Sequence, residues 1–243
     1  ARTNNEDSVA VDAHNALAIL ADGMGGYNAG EVASGMATSF IQTELGRWLD
    51  EVGASATDPE VRRAMDICVD NANRAIFNAA NANPQYSGMG TTLVVLAFRG
   101  TRVLIGHVGD SRAYRLRSGR LMQMTRDHSL LQEQIDAGLI TPEQAAFSAN
   151  KNLVTRALGI EAIVPADIIE YRLEANDIYL LNSDGLTDMV EPEAIHSIVA
   201  GKRTELPEAA AELVELANQN GGRDNISVIL VRAVGEKAAK DLL

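Results

Sequence analysis

The sequence predicts an α+β fold in which a central antiparallel β-sandwich is flanked by helix pairs, giving four layers in the order α-β-β-α. Short apolar runs joined by short turns predict hairpins, and hairpins favour antiparallel sheets. Two pairs of segments with helical apolar spacing lie between these strands. Two sheets packed face to face, with a helix pair on each outer side, would bury both sets of apolar faces.

The predicted strands are short and apolar, and turn residues separate them. They cover residues 7–11, 17–21, 91–98, 101–108, 113–116, 121–124, 168–173, 178–182 and 226–231. Breaks at Arg99-Gly100 and at 117–120 predict two hairpins.

The predicted helices lie on both sides of the central strands. They cover 30–49, a segment that follows Asp58-Pro59, 191–200 and 205–219, with a shorter helix at Thr141-Pro142-Glu143. Asp58 is a good N-cap and proline suits the first helical position. The chain contains no internal repeat and no linker, so we expect residues 1–243 to form one domain.

Composition narrows the function classes. The chain has 243 residues, 46% of them hydrophobic, and a formal net charge of −12. That charge repels nucleic acid phosphate. No apolar run reaches the length of about 18 residues that a membrane-spanning helix requires. The single cysteine, Cys68, excludes an internal disulfide framework and is consistent with a reducing compartment. We therefore expect a cytoplasmic monomer that binds neither membranes nor nucleic acid.

Four acidic motifs share one arrangement, in which an aspartate stands beside glycine or a polar turn at the end of a strand. They are Ala21-Asp22-Gly23, Gly109-Asp110-Ser111, Ser183-Asp184-Gly185 and Arg223-Asp224-Asn225, of which the last precedes its strand. Unpaired buried carboxylates are costly, and divalent cations remove that cost. Carboxylate oxygens suit the hard ions Mg²⁺ and Mn²⁺. Any one Asp-Gly pair is also compatible with an ordinary turn, and spacing alone does not show that the four converge.

Other chemistries fit the sequence poorly. The four histidines and one cysteine show no zinc-ligand spacing. The sequence contains neither a nucleotide-binding P-loop nor a Gly-x-Ser-x-Gly nucleophile elbow. His107 lies inside an apolar run, and we interpret it as a hydrogen-bonded core histidine rather than a catalytic one.

Taken in order, the motifs resemble the PPM, or type 2C, metal-dependent Ser/Thr protein phosphatases of bacterial type. The resemblance runs from Arg2 to about Val231. Its marks are Arg2-x-x-Asn5-Glu6-Asp7, Asp22-Gly23-Met24-Gly25-Gly26 with Gly30-Glu31, Gly88-Met89-Gly90-Thr91-Thr92, Gly109-Asp110-Ser111-Arg112, Ser183-Asp184-Gly185-Leu186-Thr187-Asp188 and Asp224-Asn225. Each motif is weak alone, but the whole series in this order is highly specific.

The resemblance implies two Mn²⁺ or Mg²⁺ ions at one end of the sandwich, and a third in many bacterial members. Asp22 would bridge the two ions, Gly23 would offer its carbonyl, and Asp184 and Asp224 would complete the first shell. Asp110 with Asp184 would form the third site, while Glu6 and Asp7 would hold metal-bound waters. Arg2 would bind the substrate phosphate, because its planar fork matches phosphate oxygens.

The resemblance also implies the reaction. A hydroxide bridging the ions would hydrolyse phosphoserine and phosphothreonine without a phosphoenzyme, and the partners would be phosphoproteins and a cognate Ser/Thr kinase. Met24 stands where animal-type members carry a histidine, so the general acid stays unassigned. Residues 126–152 match the family's flap, which we expect to move and to influence substrate choice. A catalytically silent phosphoprotein-binding relative and a phosphoesterase for small molecules are the alternatives.

Overall fold

A computed structural model of the protein describes residues 4–26, 29–52, 55–145 and 153–234. The strands are β1 (Asp7–Asp12), β2 (Leu17–Met24), β3 (Gly90–Thr91), β4 (Leu93–Arg99), β5 (Arg102–Val108), β6 (Arg112–Arg117), β7 (Arg120–Gln123), β8 (Asp167–Arg172), β9 (Ile178–Asn182) and β10 (Val228–Arg232). The helices are α1 (Ala29–Val52), α2 (Asp58–Ala82), α3 (Leu130–Asp136), α4 (Pro142–Ala145), α5 (Asp184–Thr187), α6 (Pro192–Gly201) and α7 (Leu206–Gln219), with a 3₁₀ turn at Pro84–Tyr86.

The strands form two antiparallel sheets. One has six strands, with β1-β2-β4-β5-β8 in order and β3 paired to β2, and the other has the order β10-β9-β6-β7. Sequential hairpins account for β1-β2, β4-β5 and β6-β7. The predicted antiparallel sandwich is therefore confirmed.

Three apolar layers separate four structural layers. Alternate residues of one strand enter different layers, as the two-residue period of a strand requires. In β2, Ile19 packs towards α1 and α2, whereas Leu20 packs between the two sheets. In β9, Leu181 faces the inter-sheet core and Leu180 faces α6 and α7. Strands buried on both faces explain why the sequence shows continuous apolar runs instead of polar alternation.

The N-terminus of α2 differs from the prediction. Asp58 is the first helical residue, and Thr57 is the N-cap. The carboxylate of Glu60 accepts hydrogen bonds from the backbone N–H and the hydroxyl of Thr57, both at 2.7 Å. The reciprocal capping box therefore outweighed the intrinsic capping preference of Asp58.

The predicted strand 91–98 is interrupted at Thr92. The Thr92 N–H donates to the Asp22 carbonyl at 2.9 Å, and the Thr92 hydroxyl accepts from the Asp22 N–H at 3.0 Å. These bonds divide the segment into β3 and β4 and tie it to β2 at the acidic motif.

Within the described part of the chain, the helices lack the combination of length and hydropathy that crossing a bilayer requires.

Candidate metal centre

The acidic motifs meet at one end of the sandwich, where they line a cavity of about 410 Å³. The aspartates reach this cavity from different elements of the fold, since Asp22 lies in β2 and Asp184 begins α5. The cavity is lined by Glu6, Asp22, Gly23, Met24, Gly25, Thr92, Leu153, Val154, Asp110, Asp184 and Asp224. The structure thus brings together the four aspartates that the sequence placed in separate motifs.

The sequence predicted that Asp22 and Gly23 would follow β2. In the structure both residues lie inside this strand. Pairing with β3 extends the strand to Met24, with Gly23 opposite Thr91. Pairing with β1 places Asp22 directly opposite Asp7. Like charges that face each other across an antiparallel ladder are unfavourable. The two carboxylates therefore need a proton or a cation between them.

Gly23 is required by the closeness of neighbouring backbone. A Cβ at this position would lie 2.1 Å from the Gly30 carbonyl oxygen and 2.7 Å from the Glu6 carbonyl oxygen. The Gly23 N–H donates to that Glu6 carbonyl at 3.0 Å. Glycine therefore lets β2, the start of α1 and residue 6 approach one another at the edge of the cavity.

Asp184 begins α5 directly after β9, with Ser183 as its N-cap. Gly185 is again sterically required, since a Cβ there would lie 2.0 Å from the Asn225 carbonyl oxygen. This contact brings the Asp184 turn against the Asp224-Asn225 turn. Asn225 also accepts a hydrogen bond from the Glu6 N–H at 2.9 Å through its side-chain oxygen. One asparagine therefore joins the three acidic segments.

Electrostatics distinguish these carboxylates from ordinary surface groups. Burial, followed by repulsion from Asp7, Asp184, Asp110 and Asp224, raises the pKa of Asp22 well above its usual value. Burial and the charge of Asp110 raise the pKa of Asp184 to about 7.

The same causes act on two further carboxyls. Burial and the charge of Asp127 raise the pKa of Asp110 to about 6. The pKa of Asp7 is also raised, mainly by burial.

These carboxylates fit divalent ions. Among the described residues, Asp7 Oδ1 and Asp184 Oδ1 are buried without a hydrogen-bond partner. The described cavity lining contains no Lys or Arg that could neutralise the charge. A hard cation would relieve both the repulsion and the missing partners.

Among the described residues, no group of three or more acidic, histidine or cysteine side chains is arranged closely enough to hold a metal ion by itself.

The remaining predicted site residues are Glu6, Asp7 and Arg2. Glu6 lines the cavity and is 8% exposed, and a Cβ on Gly30 would touch its carboxylate at 2.7 Å. Asp7 accepts a hydrogen bond from the Ser183 hydroxyl at 2.8 Å. Arg2, the predicted phosphate ligand, lies outside the described residues.

The predicted flap, residues 126–152, is described at residues 126–145, and the rest of it lies outside the described residues. Within it, α3 begins at Leu130 with Ser129 as its N-cap. The chain that returns from it contributes Leu153 and Val154 to the cavity.

Two residues that position the carboxylates were missed at the sequence level. Thr92 pins the backbone of Asp22, and Ser183 donates to Asp7. Both stand inside motifs that the sequence singled out, but no local pattern shows which hydroxyl reaches which carboxylate.

His107 is a core residue, as interpreted, with 2% exposure. The hydrogen bonds that were expected of its ring are not present. Both ring nitrogens are buried without a well-oriented hydrogen-bond partner among the described residues. Its ring instead stacks on His128, with centroids 4.6 Å apart.

A larger groove of about 850 Å³ lies between α7, β10 and Val9. Its lining is mainly aliphatic and amide, with a single carboxylate at Glu215. It therefore lacks the convergent acidic groups that distinguish the smaller cavity.

Comparison with known proteins identifies the family of this chain. The family model described as protein phosphatase 2C matches residues 1–226. The serine/threonine phosphatase Stp of Listeria monocytogenes is 39% identical over 233 residues, covering 95% of this chain and 90% of that protein.

Solved structures are similarly close. The Mycobacterium tuberculosis serine/threonine phosphatase PstP/Ppp superimposes with a TM-score of 0.87 and 38% identity, covering 97% of this chain and 94% of that one. The catalytic domain of PstP in complex with two manganese ions has a TM-score of 0.83 and 39% identity, with the same coverage. The chain belongs to the protein phosphatase 2C family, as its motifs predicted, and its enzyme class is that of a protein phosphatase.

Proposed function

We propose that the protein hydrolyses phosphoserine and phosphothreonine in proteins at a centre of two Mn²⁺ or Mg²⁺ ions, and that a third ion binds at Asp110. The observation that supports it is the convergence of buried, mutually repelling aspartates in a cavity whose described lining has no basic residue. The relative solved with two manganese ions supports the same ion class.

Asp22, Asp184 and Asp224 would hold the first two ions, together with the Gly23 carbonyl. Asp110 and Asp184 would hold the third ion, and Glu6 and Asp7 would orient waters around the centre. When bound, paired divalent ions lower the pKa of a coordinated water so that it can act as a nucleophile near neutral pH. No phosphoenzyme is then required.

Hydrogen bonds from neighbouring residues would hold the proposed ligands of this centre in position. Thr92 holds the Asp22 backbone, Asn225 ties Asp224 to Glu6, and Ser183 orients Asp7. The half-buried Met24 narrows the cavity beside Asp22 and offers no proton. Arg2 would bind the substrate phosphate and would not contact the ions.

We assign residues 1–243 to one catalytic domain that works as a monomer in the cytoplasm. Its substrates would be phosphoproteins made by a cognate Ser/Thr kinase. The net charge of −12 supports protein substrates over nucleic acids, because phosphate backbones are repelled by excess carboxylates. Segment 126–152 would act as a flap that moves and affects substrate choice.

The test is hydrolysis of p-nitrophenyl phosphate and of a phosphothreonine peptide, with Mn²⁺ and with EDTA. Activity on both that EDTA abolishes and Mn²⁺ restores is the expected result. Acid-quenched protein should carry no label from a ³²P-labelled peptide. A stable labelled protein would refute direct attack by water.

Two outcomes separate the alternatives. Mn²⁺ binding without turnover of any phosphopeptide would indicate a silent phosphoprotein-binding module. Rapid hydrolysis of nucleotides or sugar phosphates, with phosphopeptides left intact, would indicate a small-molecule phosphoesterase.

A further inference from the structure

The loop that carries Asp110 is held by a histidine from the segment that leads into α3. The Gly109 N–H donates to His128 Nδ1 at 3.0 Å, and the His128 N–H donates to the Gly109 carbonyl at 2.8 Å. His128 is 7% exposed. Gly109 has φ +105°, and a Cβ there would lie 2.6 Å from Thr92. The turn before Asp110 therefore requires glycine at this position, and the acceptor of the Gly109 N–H is His128.

The hydrogen bond from Gly109 determines the tautomer of His128. Nδ1 accepts and therefore carries no proton, so the neutral ring is protonated at Nε2. Nε2 lies 3.1 Å from Asp167 Oδ2, which accepts this proton's hydrogen bond. Arg156 Nη1 also lies 3.1 Å from His128 Nε2, but because Nε2 carries the proton, Arg156 donates to Asp167 Oδ1 and to the Pro165 carbonyl, each at 3.2 Å. The imidazole is thus fixed at both nitrogens.

The backbone of His128 reaches the other end of the predicted flap. Its carbonyl accepts from the Thr155 N–H at 2.8 Å, and the Leu130 N–H donates to the Leu153 carbonyl at 2.9 Å. Ser129 and Val154 form an antiparallel bridge between them. Leu153 and Val154 line the carboxylate cavity, so His128 contacts the backbone of both the Asp110 turn and the returning chain.

A second link joins the same two segments beside this one. Arg112 follows Asp110 by two residues and binds Asp127 through Nε at 3.0 Å and Nη2 at 2.6 Å. This bidentate pair fixes the distance between the two segments. It does not touch the Gly109 amide, which His128 alone among these groups satisfies.

We propose that His128 is a positioning residue for divalent-ion binding at Asp110, and that it couples this site to the position of residues 153–155 over the cavity. The proposal rests on the proposed function, in which Asp110 holds an ion. Losing the acceptor would free the Gly109 turn and move the Asp110 carboxylate. Groups behind a ligand commonly change metal affinity by about 10- to 100-fold.

The experiment compares wild type with His128→Phe, His128→Asn and His107→Leu. Phenylalanine keeps a ring to stack on residue 107 but provides no acceptor, whereas Asn Oδ1 can take the place of Nδ1. His107→Leu alters the ring stack without touching Gly109. Mn²⁺ binding to purified protein is followed by the EPR signal of the free ion. Amide hydrogen exchange is followed at Gly109 and Thr155.

In His128→Phe one Mn²⁺ site, the one at Asp110, should weaken by about 10-fold or more, while the other sites stay unchanged. The amides of Gly109 and Thr155 should exchange faster together. His128→Asn should restore affinity to within about threefold, and His107→Leu should leave it at the wild-type level. Unchanged binding and exchange in a folded His128→Phe protein would overturn the proposal. Equal weakening of every site without rescue by Asn would do so too, since it would indicate a general structural role.

A second variant keeps the proposal testable if His128→Phe does not fold. Asp167 is 47% exposed on its side chain and accepts from His128 Nε2. If His128→Phe does not fold, Asp167→Leu should weaken the same site several-fold, and a wild-type isotherm would refute the coupling. Failure of the proposed function is distinguishable, because wild-type protein would then bind no Mn²⁺ or, with Mn²⁺ bound, hydrolyse no phosphopeptide.

Discussion

The two ends of strand β9 carry the same residue type in opposite circumstances. Asp177 precedes the strand and is 1% exposed. It accepts from Arg117 Nε at 2.7 Å and Nη2 at 2.6 Å, and from the Glu174 N–H at 2.9 Å. Asp184 follows the strand, and its Oδ1 is buried without a partner among the described residues.

The contrast shows how a fold separates structural from functional charge. At one end the chain neutralises its own aspartate with an arginine, so the ion pair contributes to the fold. At the other end it gathers further aspartates around the first, which raises their pKa values. Such a group is unfavourable for stability without a bound cation and suited to hold one. The predictions below test this difference.

The largest expected effect is on activity at Asp184. Asp184→Asn should lower kcat by about 10³-fold or more, because an ion that stabilises transition-state charge contributes several kcal/mol. Stability of the EDTA-treated protein at pH 8 should stay equal or rise, since a buried repelled charge is removed. Steady-state kinetics in excess Mn²⁺ and thermal unfolding measure the two. A wild-type kcat in Asp184→Asn would show that Asp184 does not belong to the metal centre.

The opposite pattern is expected at Asp177. Asp177→Asn should lower the free energy of unfolding by about 3 kcal/mol, because it removes the buried, charge-assisted pair of hydrogen bonds from Arg117, which keeps only its more exposed charge partner Glu174. For a chain of this size that corresponds to a drop in Tm of about 6–12 °C. kcat of the folded fraction should match wild type. A large loss of kcat at a temperature where the variant is folded would contradict the comparison.

Of the two ends of β9, only the Asp184 end should make stability fall as pH rises. In the unfolded chain an aspartate titrates near its usual value of 3.8, whereas in the fold Asp184 titrates at about 7 and Asp110 at about 6. Between these values the folded state binds more protons, so stability falls as pH rises. We expect this contribution to lower the Tm of EDTA-treated protein between about pH 4 and about pH 7.

Mn²⁺ should reverse this decrease most strongly at the alkaline end, because protons and ions compete for the same oxygens. Asp184→Asn should flatten the slope and Asp177→Asn should not. Differential scanning fluorimetry across pH, with and without Mn²⁺, makes the measurement. Burial lowers the pKa of His107 and of His128, which adds stability as pH rises, so the decisive quantity is the difference in slope between wild type and Asp184→Asn. An equal slope in both would show that these carboxylates are not repelled in the fold.

The smallest effect is expected at Ser183, whose hydroxyl donates to Asp7 and accepts from the Ser227 N–H at 3.1 Å. Ser183→Ala should reduce stability by about 1 kcal/mol, as expected for a buried hydrogen-bonded hydroxyl. Ser197→Ala is the matched control, because the Ser197 hydroxyl donates to the backbone carbonyl of Glu193 in the exposed part of α6. It should change stability by less than about 0.5 kcal/mol. Equal effects in both would show that Ser183 is not specially placed.

The extent of agreement between sequence and structure follows from which interactions are local. Hairpins such as β4-β5 and helices such as α7 were predicted closely, because periodicity and turn residues act over a few positions. The boundary at Thr92 and the cap at Thr57 were missed. The first depends on a long-range bond to Asp22, and the second on a side chain one turn away.

The sequence alone determined the layer order, the identity of the acidic motifs and the family, because apolar periodicity and residue type are written along the chain. Tertiary structure decided that Asp22, Asp110, Asp184 and Asp224 share one cavity, and that Asp22 lies inside a strand opposite Asp7. It also placed His128 behind the Asp110 turn. Repulsion between carboxylates and the acceptor of a given amide N–H depend on distances in space, and sequence separation does not encode those distances.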